Sequence, residues 1–139
     1  ALIGIEFTNN DRVKFIDLEV SCGSKDSEAR LTIIFDGNEL QLKTKGNGPV
    51  DAIFRAIKKL APHQTRLDLY QVHSVTKGTD AQADVTVRLE DELSKTYSGH
   101  GAHTDTLVAS AHAYISALNK MFNQNAKLGD NTDSSNISI

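Results

Sequence analysis

In the first half of the chain, apolar residues alternate with polar ones in three short runs and then recur with a helical period. The alternation predicts β-strands at residues 15–21, 30–35 and 39–43. Between Val50 and Leu60 the apolar side chains share one face of a helix, with Pro49 in its first turn. This half therefore predicts a βββα unit, preceded by a lead-in segment at residues 1–14.

The second half of the chain repeats this order of elements. Alternation predicts three more strands, at residues 67–76, 84–89 and 94–98. A helix is predicted from about Thr104 to Phe122, and Thr104 or Asp105 can accept hydrogen bonds from its first free N–H groups. Residues 123–139 are polar and lack a burial pattern, so we expect a disordered tail there.

Short motifs recur in the same order in both halves. The sequence aligns Val20–Gly23 with Val75–Gly78, Leu31–Ile33 with Val85–Val87, Gly46–Gly48 with Gly99–Gly101, and Asp51 with Asp105. One βββα unit has too small a core to be stable alone, so the two units are expected to pack together. We therefore expect an α+β fold of two pseudo-symmetric βββα units, residues 15–62 and 67–122, with the helices on one side of the sheets.

Composition and charge exclude several classes of function. The 139 residues are 39% hydrophobic and 24% charged, as in an ordinary globular domain. The net charge of −3 gives no basic field for nucleic acid or an anionic membrane, and no apolar run is long enough to span a bilayer. The single cysteine, Cys22, suits a reducing compartment, so a cytoplasmic location is expected. Because the chain starts at Ala1 rather than Met, we expect it to be part of a longer protein.

The two places where glycines precede a predicted helix, residues 46–51 and 99–105, are the strongest candidates for a binding site. Free N–H groups and the positive end of the helix dipole attract an anion there. Neither segment has the glycine spacing of a dinucleotide or phosphate loop, so the carboxylate of a small ligand fits better than a pyrophosphate. The alternative is that the glycines only turn the chain, and the sequence leaves both interpretations open.

The residue types that could support catalysis or metal binding are not arranged for either. His100, His103 and Asp105 are close in sequence, but no second cluster accompanies them, so capping or surface roles are expected. Cys22 has no histidine beside it, and the serines lack the turn motif of a hydrolase nucleophile. We therefore assign no catalytic residue, metal ligand or other cofactor to this chain.

Three ordered runs, residues 46–52, 78–87 and 105–119, resemble the regulatory domain of 2-isopropylmalate synthases, within a likeness over residues 15–121. The resemblance implies the paired βββα fold, a homodimer, and attachment to a catalytic barrel in the same polypeptide. In that family the barrel is metal-dependent and condenses acetyl-CoA with 2-oxoisovalerate in leucine synthesis. The resemblance therefore implies that this chain alone is inactive, and that a divalent metal is expected only in the barrel.

The resemblance also implies a site for the feedback inhibitor L-leucine near the dimer interface. The positions carried over from the family's motif are Asn47, Gly48, Pro49, Val50, Asp51, Ile53, Ile57, Leu67, Leu69, Tyr70, His73 and Ala81, with Thr104, Asp105 and Thr106 as counterparts in the second half. Helix-start amides can hold the carboxylate, Asp51 can accept from the ammonium group, and apolar side chains can enclose the isobutyl group. His73 stands where a small residue is expected, which changes one wall of the pocket.

Three other interpretations remain open. Citramalate synthases share this domain but respond to isoleucine, and one methyl position is worth only about 1–3 kcal/mol in an apolar pocket. The run at residues 46–51 favours leucine. A free-standing small-molecule-binding dimerisation module would lack the barrel, and a small metallohydrolase would bind zinc through His100 and His103.

Overall fold

The computed structural model describes the backbone of residues 11–74 and 81–137, and the side chains of residues 11–73 and 81–126. The first half consists of β1 (Val13–Cys22), β2 (Ser27–Phe35), β3 (Asn38–Gly46) and α1 (Pro49–Leu60). The second half consists of β4 (Arg66–Ser74), β5 (Ala83–Glu90), β6 (Thr96–His103) and α2 (Thr106–Ile137). The predicted α+β fold of two βββα units is confirmed. The start of the lead-in segment, residues 1–10, and the strand end and turn predicted at residues 75–80 lie outside the described residues.

Each half folds its strands into an antiparallel sheet in chain order, β1-β2-β3 and β4-β5-β6. The first strand of each sheet carries a bulge at the same place, between Phe15 and Asp17 in β1 and between Leu67 and Leu69 in β4. A bulge inserts one extra residue into one strand and locally bends it. The two halves therefore share an irregularity of pairing as well as the order of their elements.

The correspondence between the halves differs from the one that the motifs predicted. Phe15 pairs with Ile33 and Leu67 pairs with Leu89, so Ile33 corresponds to Leu89, whereas the sequence had aligned it with Val87. At the other end, Ser27 pairs with Gly46 and Ala83 pairs with His103. Gly46 therefore corresponds to His103 and not to Gly99.

The core lies between the central strands and the helices, and α2 occupies its middle. The inward residues of the two central strands are fully buried: Ala29, Leu31, Ile33, Val85, Val87 and Leu89. α1 packs on β2 and β3, and α2 packs on β5 and β6 while also contacting α1 and β1. From Ala109 to Asn119 every residue of α2 is buried, as expected for a helix enclosed by its domain.

The turn predicted at Gly99–Gly101 is wrong, because both glycines lie inside β6, beneath α2. A Cβ on Gly99 would lie 2.2 Å from the carbonyl oxygen of Ala113, and one on Gly101 would lie 2.3 Å from that of Ala109. Only glycine allows the helix and the strand to approach this closely. The small residues of α2, whose packing partner the sequence left open, therefore contact their own sheet.

α2 extends beyond its predicted end. The helix was expected to stop near Phe122 and to be followed by a disordered tail at residues 123–139, but helical backbone continues to Ile137. No proline follows Phe122, and lengthening an existing helix adds one hydrogen bond for each residue fixed, so polar residues can continue it. Despite its length, neither α2 nor the other helix of the described residues is apolar enough to cross a membrane.

Candidate functional site

The start of α1 is held by a compact set of contacts. A Cβ on Gly46 would lie 2.4 Å from the backbone nitrogen of Ala52, so only glycine allows β3 to end this close to the helix. Asn47 donates its backbone N–H to Asp51 Oδ2 at 2.9 Å, and Arg55 Nε pairs with the same oxygen at 2.9 Å. Asp51 therefore fixes both the loop before the helix and its first turn.

Gly48, the residue before α1, has no such steric role. Its φ of −177° is extended backbone that any residue adopts, and a Cβ there would meet nothing within 4 Å. Its carbonyl oxygen accepts the first helical hydrogen bond from Ala52 at 3.0 Å. No side chain in the described part of the chain caps α1, and Pro49 at its first position has no N–H. The amides of Val50 and Asp51 therefore have no side-chain acceptor at this helix start.

The start of α2 is capped by the side chain of Asp105, the residue directly before the helix. Asp105 Oδ1 accepts from the backbone N–H of Leu107 at 2.8 Å, and the Asp105 N–H donates to His103 Nδ1 at 2.9 Å. Asp105 directly precedes α2 as Gly48 directly precedes α1, so the predicted correspondence of Asp105 with Asp51 is wrong. The first helix start thus has amides without a side-chain cap, with the Asp51 carboxylate in its first turn, whereas Asp105 caps the second.

The other predicted effector positions lie in different environments. Ile53 and Ile57 are fully buried in the core beneath α1. Tyr70 pairs with Val87 on the helix-facing side of its sheet, as Leu67 does with Leu89, whereas the alternation along β4 places Leu69 and His73 on the opposite side. The exposed positions at the end of this sheet and the start of α2 are His73, Ala81, Thr104, Asp105 and Thr106. These residues therefore do not all share one surface of a single protomer.

A buried polar network joins the segment after α1 to α2. No sequence pattern predicted it, because its members lie far apart in the chain. His63 Nδ1 lies 2.7 Å from Thr65 Oγ1 and 3.3 Å from the Thr65 backbone nitrogen, and Nε2 lies 3.0 Å from Tyr114 Oη. Burial, with a smaller contribution from the charge of Lys58, lowers the pKa of His63 to about 4. Burial also raises the pKa of Tyr114, so both side chains are neutral near pH 7.

Tyr70 extends this network to the start of α2. Its hydroxyl donates to Ser110 Oγ at 2.8 Å, and Ser110 donates in turn to the carbonyl oxygen of Thr106 in the first turn of α2. The Tyr70 ring meets the Phe54 ring edge-on at 5.7 Å, and Phe54 packs on Tyr114 at 4.5 Å. Tyr70 thus links the start of α2 to α1. Its bond to Ser110 spans 40 positions of the chain, and no local pattern signals such a pair.

A second buried histidine lies where α2 meets β1. The His112 ring packs on Phe15 at 4.5 Å, with the His103 ring 6.4 Å away. Burial, with the charge of His103 as a smaller cause, lowers the pKa of His112 to about 4. His100 lies apart on the sheet surface, 3.1 Å from Thr86 Oγ1. Within the described ranges, no three His, Cys, Asp or Glu side chains are grouped closely enough to hold a metal ion.

Comparison with known proteins identifies relatives of this chain. The profile of the family described as the LeuA allosteric (dimerisation) domain matches residues 2–122. A 2-isopropylmalate synthase of Methylorubrum populi is 50% identical over 115 residues, which are 82% of this chain and 22% of that protein. The corresponding enzyme of Methylobacterium nodulans is 47% identical over 115 residues, with the same shares of 82% and 22%. That of Bradyrhizobium sp. (strain ORS 278) is 48% identical over 113 residues, 81% of this chain and 21% of that protein.

These matches define both the family and the extent of the chain. The chain spans about a fifth of the length of these relatives. The family profile extends across both βββα units and both helix starts. The chain therefore belongs to the family of LeuA allosteric (dimerisation) domains.

Proposed function

We propose that this chain is the regulatory domain of a 2-isopropylmalate synthase, where it binds L-leucine and thereby inhibits the catalytic part of the same polypeptide. The family's description as an allosteric and dimerisation domain supports the regulatory role, and the names of the relatives support the activity of the whole protein. That activity joins acetyl-CoA to 2-oxoisovalerate on the route to leucine. Binding the end product far from the catalytic barrel would provide feedback inhibition.

The difference between the two helix starts is the observation that carries the assignment of the site. The first turn of α1 offers the amides of Val50 and Asp51 without a side-chain cap, while Asp105 already caps α2. The open space beside Gly48 leaves room for a ligand at the same place. A ligand carboxylate is therefore favoured at the start of α1, where unpaired amides and the helix dipole act together.

The remaining groups of leucine fit the surroundings of this helix start. Asp51 accepts from Asn47 and Arg55 through one oxygen, Oδ2, and its carboxylate has further lone pairs for an ammonium group. The half-buried side chain of Val50 offers an apolar surface to the isobutyl group. Ile53 and Ile57, which are fully buried, would support the pocket from beneath rather than line it.

A homodimer is the second part of the proposal. Leu67 and Val72 lie on the helix-facing side of β4, yet they are 46% and 47% exposed. α2 packs on β5 and β6 instead, which leaves this apolar strip uncovered. Exposed apolar side chains that lie together are typical of subunit interfaces, so we place the second copy against β4.

Calorimetric titration with L-leucine, L-isoleucine and L-valine tests the effector. We expect saturable leucine binding in the micromolar range, with isoleucine weaker and valine weakest. Tighter binding of isoleucine would instead identify the effector of a citramalate synthase. If none of the three binds, the effector site proposed at the start of α1 is wrong.

A further inference from the structure

The start of the described residues lies against α2, close to where the buried part of that helix ends. Asp11 Oδ1 lies 3.5 Å from Asn123 Nδ2, and the Arg12 guanidinium lies over the Phe122 ring at 4.5 Å. We call the region around Asp11, Arg12, Phe122 and Asn123 the terminal end. It is separated from the start of α2 by about 24 Å, at a rise of about 1.5 Å per residue from Thr106 to Phe122.

An open groove lies at the terminal end. Its volume is about 350 Å³. Apolar surface comes from Leu93, Met121 and Phe122, and the neutral imidazole of His63 lies beside them. Asp91 and Glu92 are the charged residues of its lining, which contains no lysine or arginine among the described residues. We call this feature the terminal groove.

Leu93 projects from a rigid turn at the edge of the terminal groove. It is 89% exposed. Asp91 Oδ1 accepts from the backbone N–H groups of Leu93 and Lys95, both at 2.9 Å, and Asp91 Oδ2 accepts from Tyr97 Oη at 3.1 Å. A single exposed leucine is common on protein surfaces, but this one lies on a hydrogen-bonded turn beside the apolar side chains of the groove and so enlarges the apolar surface there.

The remainder of a longer polypeptide is the partner that the position of the groove favours. The relatives are nearly four times as long as this chain, since 115 matched residues make up 22% of each. The described residues begin at Asp11, at the terminal end, so a part of the polypeptide that precedes this domain reaches them there. We propose that the terminal groove and Leu93 dock against that remainder, through an apolar side chain of the remainder flanked by lysine or arginine. The proposal rests on the proposed function, which places the domain in a full-length synthase.

Cysteine labelling of the full-length polypeptide tests this contact directly. In a Cys22→Ser background, L93C and I16C are treated with a maleimide, and each peptide is quantified by mass spectrometry. Leu93 is 89% exposed and Ile16 is 46% exposed. If nothing covers the domain, the cysteine at position 93 should therefore be labelled faster than the one at position 16. Docking predicts the reverse, with L93C labelled at least about tenfold more slowly in the folded protein than in urea. A smaller ratio overturns the proposal.

Leu93→Asp tests whether the contact carries inhibition. We expect the full-length variant to bind leucine and to keep its activity without leucine, but to retain several-fold more activity at saturating leucine, since allosteric coupling is typically about 5–150-fold. Ile16→Asp is the matched control and should be inhibited like the wild type. Unchanged inhibition of Leu93→Asp overturns the proposal. If Leu93→Asp does not fold, the cysteine labelling alone decides whether the contact exists. If the wild type does not bind leucine, the proposed function is wrong, and the cysteine labelling still tests the docking contact.

Discussion

Asn119, in the middle of α2, forms hydrogen bonds with the backbone of Val13 at the start of β1, an edge strand with no neighbouring strand on its outer side among the described residues. Its side-chain amide accepts from the Val13 N–H at 3.0 Å and donates to the Val13 carbonyl oxygen at 2.8 Å, and both residues are buried. The contact joins residues 106 positions apart and fixes the first sheet to the last helix. The second βββα unit thus supplies hydrogen-bond partners to the edge strand of the first.

Asn119→Ala should destabilise the fold strongly, because it leaves a buried N–H and a buried C=O of Val13 without partners. We expect a loss of about 2–4 kcal/mol in the free energy of unfolding, measured in urea. Asn123→Ala is the control, because within the described part of the chain the side chain of Asn123 makes a single long contact of 3.5 Å to Asp11, and its loss should cost less than about 0.5 kcal/mol. Equal losses in the two variants would mean that the Asn119 contact does not stabilise the fold.

Gly99→Ala should destabilise the contact between β6 and α2. The added Cβ would lie 2.2 Å from the backbone oxygen of Ala113, and neither backbone can move without disturbing the core. We expect a loss of about 3 kcal/mol, read from urea unfolding. Gly48→Ala is the matched control, since its Cβ would meet nothing within 4 Å, and its stability should match the wild type within about 0.5 kcal/mol.

The two helix starts should respond differently to substitution. Gly48→Val places a branched side chain in the space assigned to leucine and should weaken leucine binding at least about tenfold, with little change in melting temperature. Asp105→Ala removes the cap of α2 and should cost about 1 kcal/mol of stability while leaving leucine affinity unchanged. Calorimetry and thermal unfolding of both variants make the comparison. Loss of binding in Asp105→Ala alone would move the site to the start of α2.

Stability should fall as the pH is lowered from about 6.5 to about 4. His63 and His112 have folded pKa values of about 4 against an ordinary 6.5, so in this range the unfolded chain binds protons that the folded chain does not. Their contribution is complete above pH 6.5 and is lost progressively below it, by about 3 kcal/mol for each group. Urea unfolding across this range measures the slope. His63→Gln and His112→Gln should each reduce the slope; a slope equal to that of the wild type in both variants would contradict the assignment.

Val72→Asp should weaken the proposed homodimer. Sedimentation velocity should show a dissociation constant at least about tenfold higher than that of the wild type, because a charge would replace an apolar contact in the interface. Ile16→Asp is a close control, since Ile16 is 46% exposed and Val72 is 47% exposed. If both variants dimerise like the wild type, the second copy does not bind at this strip.

The repeat and the fold class could be predicted because each element has its own local period. The correspondence between the halves could not, because the glycines at 46–48 and 99–101 look alike in sequence while serving different purposes. Gly46 lets a strand end against α1, whereas Gly99 and Gly101 let a whole helix lie on a strand. The alternate glycines and the alanines of α2 at intervals of four, Ala109, Ala113 and Ala117, were the signal for that packing.

The candidate site could be predicted only in part, for a similar reason. The position of Asp51 beside a glycine turn indicated a helix start, and the structure has one there. The cap that the sequence offered at Asp105 is confirmed, but the missing cap at the start of α1 is not signalled by any residue pattern. The network of His63, Tyr114 and Tyr70 depends on contacts between distant segments, which no periodicity reports.

Because residues 109–119 of α2 are all buried, the helices of the two halves differ in how freely their residues can be substituted. A substitution between Ala109 and Asn119 must suit α1, β1 and its own sheet at once. α1 instead turns Arg55, Lys58 and Lys59 to solvent, where a substitution has fewer neighbours to suit: Arg55 pairs with Asp51, and Lys59 donates to Thr44 Oγ1. If the halves descend from one duplicated unit, the second helix now packs against elements of both halves. We therefore expect its amino-acid sequence to change more slowly in evolution than that of α1.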